Sequence, residues 1–278
     1  MLVTRFAPSP TGLLHLGHAH SALQGWRRAR DEGGRFLLRM EDIDQTRCRA
    51  EFEAAAILDL RWLGLDWDGG IRRQSEHFAE YQAALDLLAA KGLLYPCFCT
   101  RAEIAESAAA PHGSAGSLYP GTCRNLSEAD RRARLLEAGK PYALRLDMAR
   151  AAALAGALVF EDELAGTVPV EPGLAGDVVL ARKEMPASYH LAVTLDDAVQ
   201  GVTLVIRGAD LFEATHVQRV LQAVLGLPVP RYHHHQLLTD ETGRRYAKRD
   251  RALTLASLRE AGRSPEEVRI MAGFPEPL

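Results

Sequence analysis

The sequence predicts an α/β fold: a parallel sheet flanked by helices, split by an α+β insertion and followed by a short helical segment. Three observations lead there. Strand and helix patterns alternate through residues 1–94. Between 95 and 186 the alternation gives way to short strands, a Gly/Pro/Ser-rich stretch and clustered cysteines. From 187 to 240 it returns, leaving 241–278 as a basic loop and a helical end. Consecutive strand–helix–strand units need crossover connections, and those build parallel sheets.

The elements follow in order. Residues 2–7 form an apolar strand, and 17–30 a helix closed by Gly33-Gly34. Residues 35–40 read as a buried strand. Phe52, Ala56, Leu60 and Leu63 recur at helical spacing over 49–63, and Gly64 stops them. Ser75 is placed to cap a helix running to Lys91. Residues 95–99 are short and extended, and Thr100-Arg-Ala-Glu103 has the form of a capping box. A loop from 111 to 121 leads to Cys123, and a helix spans 127–138. Short strands are expected at 142–146, 159–162, 167–170 and 178–181. Strands at 190–195 and 203–207, a helix at 212–225 and a last strand at 233–238 restore the α/β pattern. Helix returns from Thr254 to a Pro-rich tail.

The bulk properties are those of an ordinary soluble globular chain of 278 residues. No run of eighteen apolar residues occurs, so no membrane span is expected. No signal-peptide pattern opens the chain, and a cytoplasmic location is the expectation. The net charge of −3 argues against a uniformly basic nucleic-acid-binding domain. Any such contact must be local. Arg244 to Arg251 holds five cations in eight residues and is the candidate, although such runs are also common in solvated loops.

The most informative string is Arg5-Phe-Ala-Pro-Ser-Pro-Thr-Gly-Leu-Leu-His15-Leu-Gly-His18. It runs from a strand through a Pro/Gly turn into a helix. A helix N-terminus at the C-terminal end of a strand is where α/β folds bind phosphates. His15 and His18 bracket the helix start and can donate hydrogen bonds to a nucleotide phosphate. This string resembles the "HIGH" motif of the class I aminoacyl-tRNA synthetases, in the version found in the glutamyl and glutaminyl branch. The resemblance extends over essentially the whole chain and implies a Rossmann-like nucleotide-binding domain split by an insertion.

It also implies a two-step reaction with ATP and Mg2+: an amino-acid carboxylate attacks the α-phosphate, and a tRNA hydroxyl then takes the acyl group. The first step needs positioned reactants and neutralised phosphate charge more than a nucleophilic side chain. By resemblance His15, Gly17, His18 and Lys248 serve the ATP side. The usual K-M-S-K-S loop here reads Arg245-Tyr246-Ala247-Lys248-Arg249, so only its second lysine remains. Arg245 offers the first cation, and Ala247 removes a hydroxyl. For L-glutamate, an arginine fork suits the side-chain carboxylate. Arg5 and Arg207 match the family's arginines, Glu41 its ammonium partner and Tyr189 a further pocket residue. Phe6, Ala7, Pro8 and Ser9 line the same pocket by resemblance.

Four cysteines are present: Cys48, Cys97, Cys99 and Cys123. Zinc prefers four tetrahedral ligands, thiolate among them. Cys97, Cys99 and Cys123 supply three, or else are buried thiols. His112 is one possible fourth ligand. The resemblance points instead to Tyr119 and to one structural Zn2+. Asp42 and Asp44 suit either a metal or the start of the following helix. His233-His234-His235 cannot converge on one metal, because adjacent strand residues face opposite ways, and it carries no assigned role.

The acceptor is read from length. About twenty-seven residues follow the Lys248 loop, too few for the anticodon-reading region of a full glutamyl enzyme. The resemblance then implies a stand-alone paralogue, expected to be a monomer. It would activate glutamate without tRNA and transfer it to the queuosine base in the anticodon stem-loop of tRNA(Asp). The alternatives are a truncated enzyme charging a tRNA 3′ end, and an inactive tRNA-binding module.

Overall fold

The computed structural model describes residues 1–100, 103, 118–137, 142–182, 185–238 and 254–276. Lys248 with its whole loop, His112 and the helix expected after Thr100 lie outside the described residues. The capping box itself is present: Thr100 N–H donates to Glu103 Oε2 at 2.6 Å, and Glu103 N–H donates to Thr100 Oγ1 at 3.2 Å.

The first half begins with β1 (Val3–Phe6), α1 (Leu16–Asp31), β2 (Arg35–Met40) and α2 (Ala50–Trp62). It continues with β3 (Arg72–Arg73) and α3 (Phe78–Ala90). The three strands pair in parallel in the order β1-β2-β3. Small residues let α1 lie close on them. Ala19, Ala22 and Leu23 are fully buried, and Gly25 sits where a Cβ would come within 3.3 Å of the Phe36 ring. Gly34 is required by a close approach, since a Cβ there would stand 2.5 Å from the Leu2 carbonyl oxygen. Ser75 does not cap α3. Its N–H and hydroxyl both go to Asp42, at 2.9 and 2.5 Å, and His77 occupies the cap position with no side-chain cap. Asp44 accepts from Thr46 and Arg47, so Asp44 is used by a local turn and Asp42 by the contact that ties the end of β2 to the segment before α3.

The middle of the chain holds β4 (Leu94–Cys97), α4 (Glu128–Leu136), β5 (Ala143–Leu146) and α5 (Met148–Ala155). Then come β6 (Val159–Asp162), β7 (Gly166–Pro169) and β8 (Val179–Arg182). β4, β5 and β8 form an antiparallel sheet. The hairpin β6–β7 does not join it. β6 pairs in parallel with β10 (Arg231–His235) of the second half, Asp162 opposite Tyr232. Two strands from 95–186 therefore sit in the sheet that carries the second half.

That half comprises α6 (Tyr189–Val199), β9 (Leu204–Gly208), α7 (Phe212–Leu225) and β10 (Arg231–His235). After it come α8 (Leu255–Glu260) and α9 (Pro265–Met271), the helical end that was expected. The expected strand at 190–195 is a helix: Ser188 caps α6, and Leu191 to Thr194 are all buried, so the segment lacked the polar face that marks a surface helix. The last strand lies at Arg231–His235 rather than 233–238. Sheet order is β7-β6-β10-β9. This sheet, parallel except for the β6–β7 hairpin, meets the first where Thr203 N–H donates to the Val3 carbonyl and Val3 N–H to Thr203 Oγ1, both at 2.9 Å. The C-terminal ends of β1, β2, β9 and β10 thus open on one side, where such sheets bind ligands.

Candidate active site

A cavity of about 380 Å³ lies at those strand ends. Arg5, Phe6, Ala7, Pro8 and Ser9 line it from β1 and the following turn. His15, Gly17 and His18 come from the start of α1, Glu41 from the end of β2, Tyr189 from α6 and Arg207 from β9. Every sequence-predicted glutamate and ATP residue within the described chain is therefore in this one cavity.

The two histidines are fixed by the helix they start. His15 is the N-cap of α1, and its Nδ1 accepts from Gly17 N–H at 3.1 Å. His18 Nδ1 accepts from the His15 N–H, also at 3.1 Å. Together they form a capping box built from imidazoles. Because both Nδ1 atoms accept, each neutral ring carries its proton on Nε2 and is a donor there. Gly17 makes this possible, as a Cβ would stand 3.1 Å from the His15 ring. No acid occupies the first turn of α1, so the positive end of the helix dipole adds to the two donors.

The acidic and basic groups under the cavity form one buried network. Asp197 of α6 takes Arg5 Nε at 3.0 Å, Arg5 Nη2 at 3.4 Å and Arg39 Nη2 at 2.8 Å. Burial works to raise the Asp197 carboxyl, but the two guanidinium groups outweigh it and hold it below the usual range. Arg39 is fully buried and also reaches Gln200, with Glu41 at 3.6 Å and Asp196 at 3.8 Å. Glu41 is pushed up to about 6, by burial first, with Arg39 and Arg5 opposing.

The two predicted arginines differ in their partners. Arg5 is already neutralised by Asp197. Arg207 donates only to neutral groups: Tyr189 Oη, Thr215 Oγ1, Gln218 Oε1 and His234 Nε2, at 2.7–3.2 Å. Among the described residues no carboxylate lies within ion-pair distance of it, Asp210 included. The residues that hold these groups, Arg39, Asp197 and His234, were not singled out from sequence as site residues. The histidine triplet was the one visible signal, and only its middle member lies behind Arg207.

A second constellation joins the end of β4 to the loop before α4. The Sγ atoms of Cys97, Cys99 and Cys123 lie within 4.8 Å of one another, and those of Cys99 and Cys123 are 3.4 Å apart. Tetrahedral zinc thiolates stand about 3.8 Å apart, given Zn–S bonds of about 2.3 Å. Tyr119 Oη is 3.8 Å from Cys99 Sγ and accepts the Cys123 N–H at 2.7 Å. Burial and the Cys123 contact push the Cys99 thiol up to about 12. Cys123 is held below its usual value, despite burial, by hydrogen bonds from Tyr119 and the Phe98 N–H. Three convergent sulfurs and a phenol oxygen fit a soft divalent ion. Asp177 ties the loop to the antiparallel sheet by accepting from Tyr95, Arg124 and the Met148 N–H.

The sequence matches the family of "tRNA synthetases class I (E and Q), catalytic domain" over residues 1–272. It is 49% identical to a glutamyl-Q tRNA(Asp) synthetase of Rhodobacter capsulatus, covering 98% of this chain and 100% of that one. The glutamyl-Q tRNA(Asp) synthetase of Symbiobacterium thermophilum is 48% identical, over 96% of this chain and 84% of its own. Among solved structures, a glutamate tRNA ligase from Elizabethkingia meningosepticum, in complex with its amino acid, superposes with a TM-score of 0.76 at 30% identity. The match covers 90% of this chain and 52% of the ligase, so this chain spans about half of that enzyme. No helix among the described residues is long and apolar enough to cross a membrane.

Proposed function

Because the chain belongs to the class I tRNA synthetases of the E and Q type, within the group of glutamyl-Q tRNA(Asp) synthetases, we propose that it activates L-glutamate with ATP, without tRNA, and passes the glutamyl group to the queuosine base in the anticodon of tRNA(Asp). The observation that carries this is the single cavity holding both an amino-acid set and a phosphate set of side chains. In the first step a glutamate α-carboxylate oxygen attacks the α-phosphorus, and pyrophosphate leaves. The Nε2–H groups of His15 and His18 donate to the phosphate oxygens, and Lys248 adds a cation for the β- and γ-phosphates; Mg2+ bound with ATP would neutralise further phosphate charge. Arg207, whose charge meets no acid among the described residues, takes the side-chain carboxylate beside Arg5. Glu41 takes the ammonium, and Tyr189 closes the pocket. In the second step a hydroxyl of the queuosine cyclopentene ring attacks the glutamyl carbonyl, and AMP leaves.

Pyrophosphate exchange with glutamate and ATP alone tests the first step and is expected to proceed. Glutamylation of queuosine-containing tRNA(Asp), compared with the same tRNA lacking queuosine, tests the second. Charging of tRNA(Glu) at its 3′ end would overturn the queuosine reading, and no exchange under any condition would indicate an inactive binding module.

The raised Glu41 carboxyl gives a pH signature. Only the carboxylate form binds an ammonium, and its ionised fraction falls as pH drops through about 6. Glutamate Kd should therefore be about tenfold weaker at pH 5 than at pH 7.5. Calorimetric titration across that range checks this; Glu41→Gln should bind weakly and show no such slope.

Zn2+ on Cys97, Cys99, Cys123 and Tyr119 would cross-link the loop before α4 to β4. Cys97→Ser is expected to lower bound zinc in purified protein from about one equivalent to well below half. Metal analysis of the wild-type protein that finds none would remove the assignment.

A further inference from the structure

Arg207 and His234 are direct neighbours across the parallel pair β9–β10. His234 Nε2 faces two donors, Arg207 Nε at 3.1 Å and Thr215 Oγ1 at 3.1 Å. An imidazole nitrogen that accepts from a guanidinium must carry no proton, so the ring's one hydrogen sits on Nδ1. Asp162 fixes that arrangement. Its Oδ2 stands 2.7 Å from His234 Nδ1 and 3.2 Å from the His234 backbone N–H. Its Oδ1 takes the N–H groups of Leu164 and Ala165, both at 2.9 Å. Asp162 is thus surrounded by donors and is itself anchored in the turn of the β6–β7 hairpin. Burial first, and Arg207 second, push His234 down to about 4, so the ring stays neutral at physiological pH. A protonated ring, or the tautomer with its hydrogen on Nε2, would set N–H against N–H at Arg207.

We propose that His234, with its tautomer set by Asp162, is a positioning residue that aims the Arg207 guanidinium into the cavity and thereby sets affinity for the substrate carboxylate. The inference rests on the assignment of Arg207 to that carboxylate. It gives the middle histidine of the triplet a task. It also gives the β6–β7 hairpin one, since a turn in the middle of the chain then governs the amino-acid pocket. The outer two histidines are engaged elsewhere, His233 with Glu163 and His235 with Ser21.

Two conservative variants separate positioning from mere structural support. In His234→Gln the side-chain oxygen reaches the place of Nε2 and can accept from Arg207. In His234→Asn the amide reaches only the place of Nδ1, keeping Asp162 satisfied and leaving Arg207 without its acceptor. Glutamate Kd, by calorimetry, is expected to weaken about tenfold in His234→Asn, as for loss of one hydrogen bond to a charged group. It should recover most of that in His234→Gln, with ATP Kd within about twofold of wild type in both. Equal weakening by the two variants, or wild-type binding by His234→Asn, overturns the proposal. Asp162→Asn, whose oxygen can keep the Leu164 and Ala165 N–H groups while its amide N–H faces His234 Nδ1 and favours the other tautomer, gives the same readout if His234→Asn does not fold. It should weaken glutamate but not ATP, and no change overturns the proposal. Arg207→Gln separates the two levels. If it leaves glutamate Kd unchanged, the carboxylate assignment fails and the positioning role with it. If it abolishes binding while His234→Asn binds normally, only the positioning role fails.

Discussion

Replacing Asp197 by alanine is expected to lower the free energy of unfolding by about 3–5 kcal/mol, the usual cost of leaving a buried ion pair half made. Two guanidinium groups depend on this carboxylate, one of them the fully buried Arg39. Glu41 and Asp196 stand farther from Arg39, at 3.6 and 3.8 Å, and do not replace it. Glutamate binding should be lost as well, because Arg5 and the Arg39–Glu41 contact lose their alignment. Asp197→Asn keeps an acceptor oxygen and should fall between. Denaturant unfolding measures the loss, and a value under about 1 kcal/mol would mean that the network does not rest on Asp197. The sign with pH follows from the lowered carboxyl. Its contribution is present above the unfolded-state value near pH 4 and is lost as pH falls through the folded-state value. The acid side of the wild-type stability curve should therefore flatten in Asp197→Asn.

His18→Asn is expected to slow pyrophosphate exchange about a hundredfold while leaving the unfolding midpoint nearly unchanged. The Asn oxygen can take the His15 N–H, so the cap of α1 persists. What disappears is the Nε2–H donor, and removing one such donor to developing charge costs about 10²–10³ in rate. Exchange kinetics and thermal unfolding on the same preparation decide the matter. If rate and midpoint fall together, His18 is a helix cap and nothing more.

The local chemistry of the chain was legible where one segment contains it. The strand–turn–helix string, the parallel β1–β2 pairing and the convergence of Cys97, Cys99 and Cys123 all follow from residues close together or from a compact motif. The imidazole capping box was legible only as an N-cap region bracketed by two histidines, because histidine is not among the usual cap residues. The segment at 190–195 was misread because a helix buried on most sides shows no amphipathic period. Residues 148–155, a helix that was not foreseen, did carry a signal: Asp147 caps it, accepting from Arg150 N–H at 3.1 Å, and Gly156 ends it. The supporting shell was out of reach of any local pattern. Asp197 meets Arg5 across 192 positions, and His234 meets Asp162 across 72. Such pairs are set by which strands end side by side.

The Arg5–Asp197 bond also places the pocket in time. At about 5–20 residues per second of synthesis, Asp197 emerges from a ribosome roughly 10–40 s after Arg5. Through that interval Arg5 of β1 and Arg39 of β2 lack the carboxylate they share, so the nascent first half has reason to keep them hydrated rather than close its core around them. The β6–β7 hairpin waits in the same way for β10, translated later still. The pocket is therefore assembled late and nearly all at once, and a ribosome stalled before α6 should display an N-terminal segment that proteases cut readily.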